Sequence, residues 1–287
     1  MLNALLIANA SSGSGDQIKH LALPGKWIRD PSLVSAEDVR SADLIALFGG
    51  DGTMQMTLSQ ILRELPVADL PPVAVMPFGT TNMNAKALNQ AQGRKNSVTS
   101  LEKIIRTGDL KIAQRPLVRV DNGERPEYGF FFGLGVIAQV VERWNEERKP
   151  GAFTNQLRSL WAMISGLSSV SSATTLTIDG KTSTVYGFLG STLDRLLFGS
   201  RPFWGDGSSG DLRLTWVDAD APHLFRHAPD LLRGKARLAA VPGYHSRCAD
   251  QVDLSFRGPY ILDGEIFHSS TGSVKIARTE PIHWLSL

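Results

Sequence analysis

Gly49-Gly50-Asp51-Gly52-Thr53 stands between an apolar run and a segment of helical spacing. Glycines at 49, 50 and 52 let the backbone approach a ligand closely and take positive φ, and the amides that open a following helix form an anion-binding end. Such a loop suits a nucleotide polyphosphate. Asp51 inside it would repel phosphate unless a cation lay between them, which points to Mg2+. A plain tight turn has the same composition; the strand before the loop and the helix after it weigh against that reading. A second loop, Phe78-Gly79-Thr80-Thr81-Asn82, offers hydroxyls and an amide that reach a ligand or simply cap the next helix. Near the C-terminus comes Leu262-Asp263-Gly264-Glu265. Residues two apart in an extended chain point the same way, so Asp263 and Glu265 are expected to face one site, where carboxylates hold a metal or act as a general base. An exposed Asp-Gly turn is the alternative.

These loops need strands to hold them. The first 115 or so residues alternate short apolar runs (2–9, 43–48 and 73–77) with helical patterns (53–64, 82–91 and 98–107), the signature of a parallel sheet covered by helices. Each strand ends in a turn of small residues, the first being Ser11-Ser12-Gly13-Ser14-Gly15. Open α/β sheets place their ligands at such carboxyl ends. From about Arg115 the pattern changes to alternating strands at 117–120, 175–182 with an Asp179-Gly180 turn, 211–217, 252–256 and 273–278. Helical insertions are expected at 136–147, 155–169 and 222–234. The expected organisation is an α/β domain over 1–115 and an antiparallel β-rich domain over 116–275, with 276–287 returning to the first.

A chain of 287 residues, 42% apolar and 20% charged, has material for a sizeable core and is not disordered as a whole. A net charge of +2 is no nucleic-acid footprint, so no nucleic-acid partner is expected. The single cysteine, Cys248, excludes an internal disulfide and a thiolate zinc site, and a reducing cytoplasm is the expectation. No apolar stretch reaches the roughly 18 residues of a spanning helix, so any membrane contact should be peripheral. The P-loop motif is missing, as are the H-R-D and D-F-G of protein kinases. His223 with His227, and His245 with Cys248, lack the company of a zinc site and read as structural or solvent-facing.

In order, Asn9-x-Ser11-Ser12-Gly13, Gly49-Gly50-Asp51-Gly52-Thr53, Gly79-Thr80-Thr81-Asn82, Gly133-x-Gly135-x-x-Ala138, Gly210-Asp211-x-x-Leu214 and Asp263-Gly264-Glu265 resemble the diacylglycerol kinase catalytic-domain family. This family includes soluble bacterial lipid kinases and the sphingosine and ceramide kinases. The resemblance runs through nearly the whole chain. It implies a Rossmann-like α/β domain of the NAD kinase/phosphofructokinase type, followed by an antiparallel β-sandwich-like domain with helical insertions, and an active site in the cleft between them. It further implies ATP as donor, Mg2+, and a lipid alcohol such as diacylglycerol, ceramide or a sphingoid base as acceptor of the γ-phosphoryl group. Carried over by motif, Asn9, Ser11, Ser12 and Gly13 border the nucleotide, Gly49, Gly50, Asp51, Gly52 and Thr53 cradle its phosphates, and Thr80 and Thr81 lie nearby. Asp211 matches an acidic position that holds a structural Mg2+, with carbonyls near Ser208 and Arg213 as co-ligands. Glu265 matches the family's proton acceptor, and Asp51 with Asp263 would support catalytic Mg2+; whether Glu265 or Asp263 is the base stays open. Rival readings are a NAD kinase, which shares the GGDGT loop, and a nucleotide- or lipid-binding relative without turnover.

Some positions depart from the family pattern. Met56 stands where an acidic residue usually follows GGDGT, Met83 and Ile137 stand where Asp is usual, and Ala10 replaces a proline. Three carboxylates around the cleft are therefore apolar, and an altered acceptor pocket is expected. Residues 155–169 carry Leu157, Leu160, Trp161, Met163, Ile164 and Leu167 near Arg143, Arg148, Lys149 and Arg158. This reads as an interfacial helix or as one packed on the β domain. Arg233, Lys235 and Arg237 form a second basic cluster, read as a solvated face. The expected location is the cytoplasm, peripheral at the inner face of the membrane. A homodimer is left open.

Overall fold

The computed structural model describes residues 1–9, 15–79, 82–88, 93–146, 173–196, 199–205 and 210–287. Ser11, Ser12, Gly13, Thr80, Thr81, Ser208 and the expected helix at 155–169 with Arg148, Lys149 and Arg158 lie outside the described residues. Strands β1 (Ala4–Ala8), β2 (Lys26–Ile28), β3 (Leu44–Gly49), β4 (Val73–Pro77) and β5 (Ile112–Arg115) join the last strand, β17 (Ile282–Leu285), in a sheet of order β2-β1-β3-β4-β17-β5. Neighbours run parallel except β17 with β5. Helices α1 (Gly15–Lys19), α2 (Ala36–Arg40), α3 (Asp51–Glu64), α4 (Met83–Ala87) and α5 (Arg94–Thr107) make the connections.

The apolar runs ALLIA, LIALFG and VAVMP are buried along their full length. Both faces are covered, which is why these strands read as continuous rather than alternating. Leu5, Ile7, Ile45 and Val75 pack with Met54, Leu58 and Ile61 of α3. The intervening Leu6, Ala46, Phe48 and Met76 pack with Ile18 of α1 and with Leu101 and Ile105 of α5.

The remaining strands form an antiparallel sheet: β6 (Val118–Asp121), β7 (Glu127–Gly129), β8 (Phe131–Gly135), β9 (Thr174–Ile178), β10 (Lys181–Ser191), β11 (Leu212–Asp218), β12 (Tyr244–Ala249), β13 (Gln251–Phe256), β14 (Pro259–Leu262), β15 (Glu265–His268) and β16 (Ser273–Arg278). Their order is β15-β14-β8-β10-β9-β13-β16-β6-β7, with β11 and β12 attached through β10. Alternate residues of β13, namely Val252, Leu254 and Phe256, are buried while their neighbours are exposed, the mark of a sheet with one face to the core. Helix α6 (Val136–Glu146) follows β8, and α7 (Leu224–Arg233) lies between β11 and β12. Strands as short as β7 or β15 hold too few residues to show period two in the sequence.

Helix α3 joins the two sheets. Ser59 Oγ accepts from Tyr128 N at 2.8 Å, Gln55 Nε2 donates to Glu127 at 3.1 Å, and Arg63 pairs with Glu127. Tyr128 and Phe130 enter the same core as Met54 and Trp284. Asp194 adds a polar clamp between Arg115 of β5 (2.8 Å) and Arg213 of β11 (2.7 Å). Burial raises the Asp194 pKa, but the hydrogen bond and charge of Arg115, with Arg213 and Arg201, outweigh it and hold the carboxyl below its ordinary range.

Candidate active site

At the end of β3, Gly50 is the N-cap of α3 and has no side chain with which to cap the first-turn amides. Those amides, with the helix dipole behind them, open at the carboxyl end of the sheet. The second glycine loop lies against the first. A Cβ on Gly79 would collide with the Cα of Gly50, so the backbones meet with no side chain between. Asn82, in the left-handed region at φ 47°, holds this loop shut: its Oδ1 accepts from Gly79 N at 2.7 Å and its Nδ2 donates to Gly79 O at 3.0 Å. Gly79→Ala is therefore expected to force the loops apart at a cost of about 2 kcal/mol, read as a lower urea midpoint. An unchanged midpoint would show that the loops yield freely.

Arg94, at the start of α5, is a residue that the motifs do not reveal. Its guanidinium donates to Pro77 O (3.2 Å), Gly79 O (3.4 Å) and Gln17 Oε1 (2.6 Å), which sets a cation between α1 and the chain leaving β4. Its local sequence shows only an arginine at a helix start, so its place depends wholly on tertiary contacts. Asn9, half-buried, follows β1, and Thr53 lies in the first turn of α3 against Gly49, where a Cβ would strike it.

The carboxylates divide into two kinds. Asp51 accepts from the N–H groups of Met83 (3.1 Å) and Asn84 (3.0 Å) and so caps α4. Asp263 is buried, and its oxygens accept from Phe130 N (3.0 Å), Phe131 N (2.9 Å) and Asn84 Nδ2 (3.2 Å). Asn84 thus joins Asp51 to Asp263 across the two sheets. The expectation of an extended Asp263–Glu265 segment is corrected here. Asp263 (φ 50°) and Gly264 (φ 91°) are both left-handed, a two-residue hairpin turn between β14 and β15, so the period-two argument does not apply. Asp263 turns inward, while Glu265 is exposed and lies over Gly52, where a Cβ would collide with its Oε1. Burial pushes the Asp263 carboxyl up to about 7, and the charge of Asp51 adds to it; the three N–H donors pull the other way.

Asp211 and Arg213 have other surroundings. Asp211 is exposed, near Asp250 and Arg278, which bond each other at 2.5 Å, while Arg213 is paired with Asp194 inside a strand flanked by β10 and β12. Among the described residues no group of three or more His, Cys, Asp or Glu gathers to hold a metal. Mg2+ in phosphoryl-transfer sites is usually held by one or two carboxylates plus substrate phosphates. Asp51, a carboxylate in the first turn of α3, has the donor chemistry for that arrangement.

Next to the loops lies a cavity of about 610 Å³, walled mainly by apolar side chains that include Met83, Phe131, Ile137, Leu189, Trp216 and Leu231. Two of the positions that depart from the family pattern, Met83 and Ile137, are in this wall; Met56 is instead exposed on α3.

The diacylglycerol kinase catalytic domain family matches residues 28–113, a span that holds both glycine loops and stops short of Asp211 and the Asp263–Glu265 turn. The chain is similar to the protein named "Probable diacylglycerol kinase 3" of Caenorhabditis elegans, at 26% identity over 153 residues, 46% of this chain and 19% of that protein. It therefore spans about a fifth of the length of that relative. The fold is that of a crystal structure of a diacylglycerol kinase from Bacillus anthracis str. Sterne, with TM-score 0.65, 16% identity, and coverage of 99% of this chain and 97% of that one. Two further solved structures from that organism give TM-scores of 0.67 at 17% and 19% identity, with the same coverage. The chain is thus similar to the diacylglycerol kinase catalytic domain over residues 28–113 and shares its fold with the three Bacillus anthracis structures.

Proposed function

We propose that the protein is an ATP- and Mg2+-dependent lipid kinase that moves the γ-phosphoryl group of ATP to the hydroxyl of a lipid alcohol. The observation that carries the reading is the continuity of an apolar cavity with the polar loops. Met83 and Phe131 line the cavity, and their backbone N–H groups bond Asp51 and Asp263 at 3.1 and 2.9 Å. A hydrocarbon chain in the cavity leaves its hydroxyl end toward these carboxylates and Glu265.

In this reading the first-turn amides of α3 and the guanidinium of Arg94 receive phosphate oxygens. Asn9, Ser11, Ser12, Gly13, Thr53, Thr80 and Thr81 border the nucleotide. The acceptor oxygen attacks the γ-phosphorus in line, ADP leaves, and the hydroxyl proton passes to the exposed carboxylate of Glu265. Asp263 is the anchor of the hairpin that presents Glu265, since its oxygens are engaged by three donors. Mg2+, when bound, neutralises β- and γ-phosphate charge, and Asp51 is the residue to hold it. Asp211, with carbonyls near Ser208 and Arg213, is proposed for a structural Mg2+, supported by the second carboxylate of Asp250 close to Gly210. The proposed units are 1–115 and 116–275 with 276–287 running back, supported by the place of β17 beside β4 and β5.

Diacylglycerol, ceramide, a sphingoid base and NAD offered with labelled ATP test the proposal. Label should enter a lipid. Leu189→Trp, which fills the cavity, should lower kcat/KM for that lipid about a hundredfold with ATP affinity unchanged. Label in NAD, or in no lipid at all, would overturn the reading.

A further inference from the structure

Helix α7 has the sequence LFRHAPDLLR, and its apolar residues Leu224, Phe225, Ala228, Leu231 and Leu232 all line the cavity. None of them is buried; the buried residue of this helix is Asp230. A surface helix of a folded domain ordinarily lays its apolar stripe on the core. This one rests Leu224 and Leu231 on the small core of Val217, Leu238 and Tyr244 while its stripe also borders an open cavity, and it is held at its ends. Tyr244 Oη donates to Pro222 O at 3.0 Å, Arg201 N donates to Leu232 O at 2.8 Å, and Gly234 sits against the carbonyls of Arg201 and Phe203.

Phe225 is 52% exposed and is the one aromatic among the large exposed apolar side chains of the described residues. Around it the charge is mainly positive. Arg226, Arg233 and Lys235 are exposed and make no ion pair with a described residue, while Asp230 is taken up by Arg237. Asp220 is the one exposed carboxylate of the segment 219–240. An exposed aromatic on a partly packed apolar stripe, with cations beside it, matches the chemistry of an anionic bilayer surface: the ring enters the interface and the cations meet lipid phosphates.

We propose that α7 is the surface by which this protein docks on an anionic lipid bilayer, with Phe225 inserted and Arg226, Arg233 and Lys235 on the headgroups. The cavity then opens toward the membrane. This extends the lipid-kinase reading, and a vesicle assay without ATP or acceptor lets either fail alone.

Co-sedimentation of the full chain with vesicles of phosphatidylcholine and phosphatidylglycerol in equal amounts should show binding that vesicles of phosphatidylcholine alone do not support. Arg226→Gln with Arg233→Gln should weaken it about thirtyfold, and Phe225→Ser about tenfold. Leu33→Ser, which removes another exposed apolar side chain, should leave it unchanged. In a second measurement, an environment-sensitive dye on Phe225→Cys should shift to the blue with the anionic vesicles and one on Leu33→Cys should not; the native Cys248 is buried. Equal binding to both vesicle types, no binding to either, or variants of α7 that fold and bind like the parent would overturn the proposal.

Discussion

Glu265→Gln is expected to lower kcat for lipid phosphorylation about a thousandfold, within the range of general-base removal, while ATP affinity and thermal unfolding stay at parent values. Its carboxylate is exposed, so neutralising it strands no buried partner. Gly52→Ala provides the companion test. The added Cβ collides with Glu265 Oε1, the far end of an exposed and flexible side chain, so the helix tolerates the methyl and Glu265 gives way. Alanine for glycine within α3 should stabilise by about 0.5–1 kcal/mol. A variant that unfolds later yet turns over more slowly separates displacement of Glu265 from damage to the fold. Full activity in Glu265→Gln would move the base elsewhere and sink the assignment.

Asp263→Ala should act on stability first. It leaves the N–H groups of Phe130 and Phe131 and the Nδ2 of Asn84 without their acceptor in a buried place, at about 4 kcal/mol in all for the three donors. That is a large share of a typical domain's stability. Asp263→Asn keeps an acceptor for the two backbone donors and should cost about 1 kcal/mol. Asn84 can adapt, because its buried Oδ1 has no hydrogen-bond partner and can accept from an N–H or O–H at position 263 once the amide turns over. The two variants also differ from the parent in pH dependence. Burial, with the charge of Asp51, raises the folded pKa of Asp263 from 3.8 to about 7, so the folded state binds the proton more tightly than the unfolded chain. The stabilisation from this carboxyl is full below pH 3.8 and is lost as pH rises through about 7. Urea unfolding across that window should show the parent weakening relative to Asp263→Asn. A parallel pair of curves would mean that Asp263 ionises in the native protein as it does in the unfolded chain.

The two effects rest on one piece of architecture. Asp51 caps α4, Asn84 of α4 bonds Asp263, and the hairpin that starts at Asp263 delivers Glu265 to Gly52, next to Asp51. The loop from the parallel sheet and the turn from the antiparallel sheet hold each other in register. Helix α3 adds the apolar part of that contact through Met54, Tyr128 and Phe130.

Much of this could be read from local pattern. The runs at 44–49 and 73–77, the glycine loops behind them and the helices that follow carry short-range signals, and the structure has them within a few residues of the expected positions. The same holds for the Asp179-Gly180 hairpin, where φ of 47° and 82° suits those two residue types. The Asp263–Glu265 segment shows the limit. Asp-Gly signals a turn, Leu-Asp-Gly-Glu after an apolar run signals a strand, and nothing within four residues says that the aspartate turns inward. Its burial depends on Asn84 and on the amides of Phe130 and Phe131, each more than 130 positions away.

The sequence by itself determined the parallel sheet, the glycine loops at its strand ends and the identity of the carboxylates, because apolar periodicity and glycine spacing act over a turn of helix or a few residues of strand. Only the tertiary structure decided which carboxylate is buried and anchored and which is exposed, brought Arg94 to Gly79, and made one cavity of side chains from residues 83 to 233. Those outcomes come from contacts between distant segments, whose geometry is set by how two sheets pack on α3 and leaves no period in the chain.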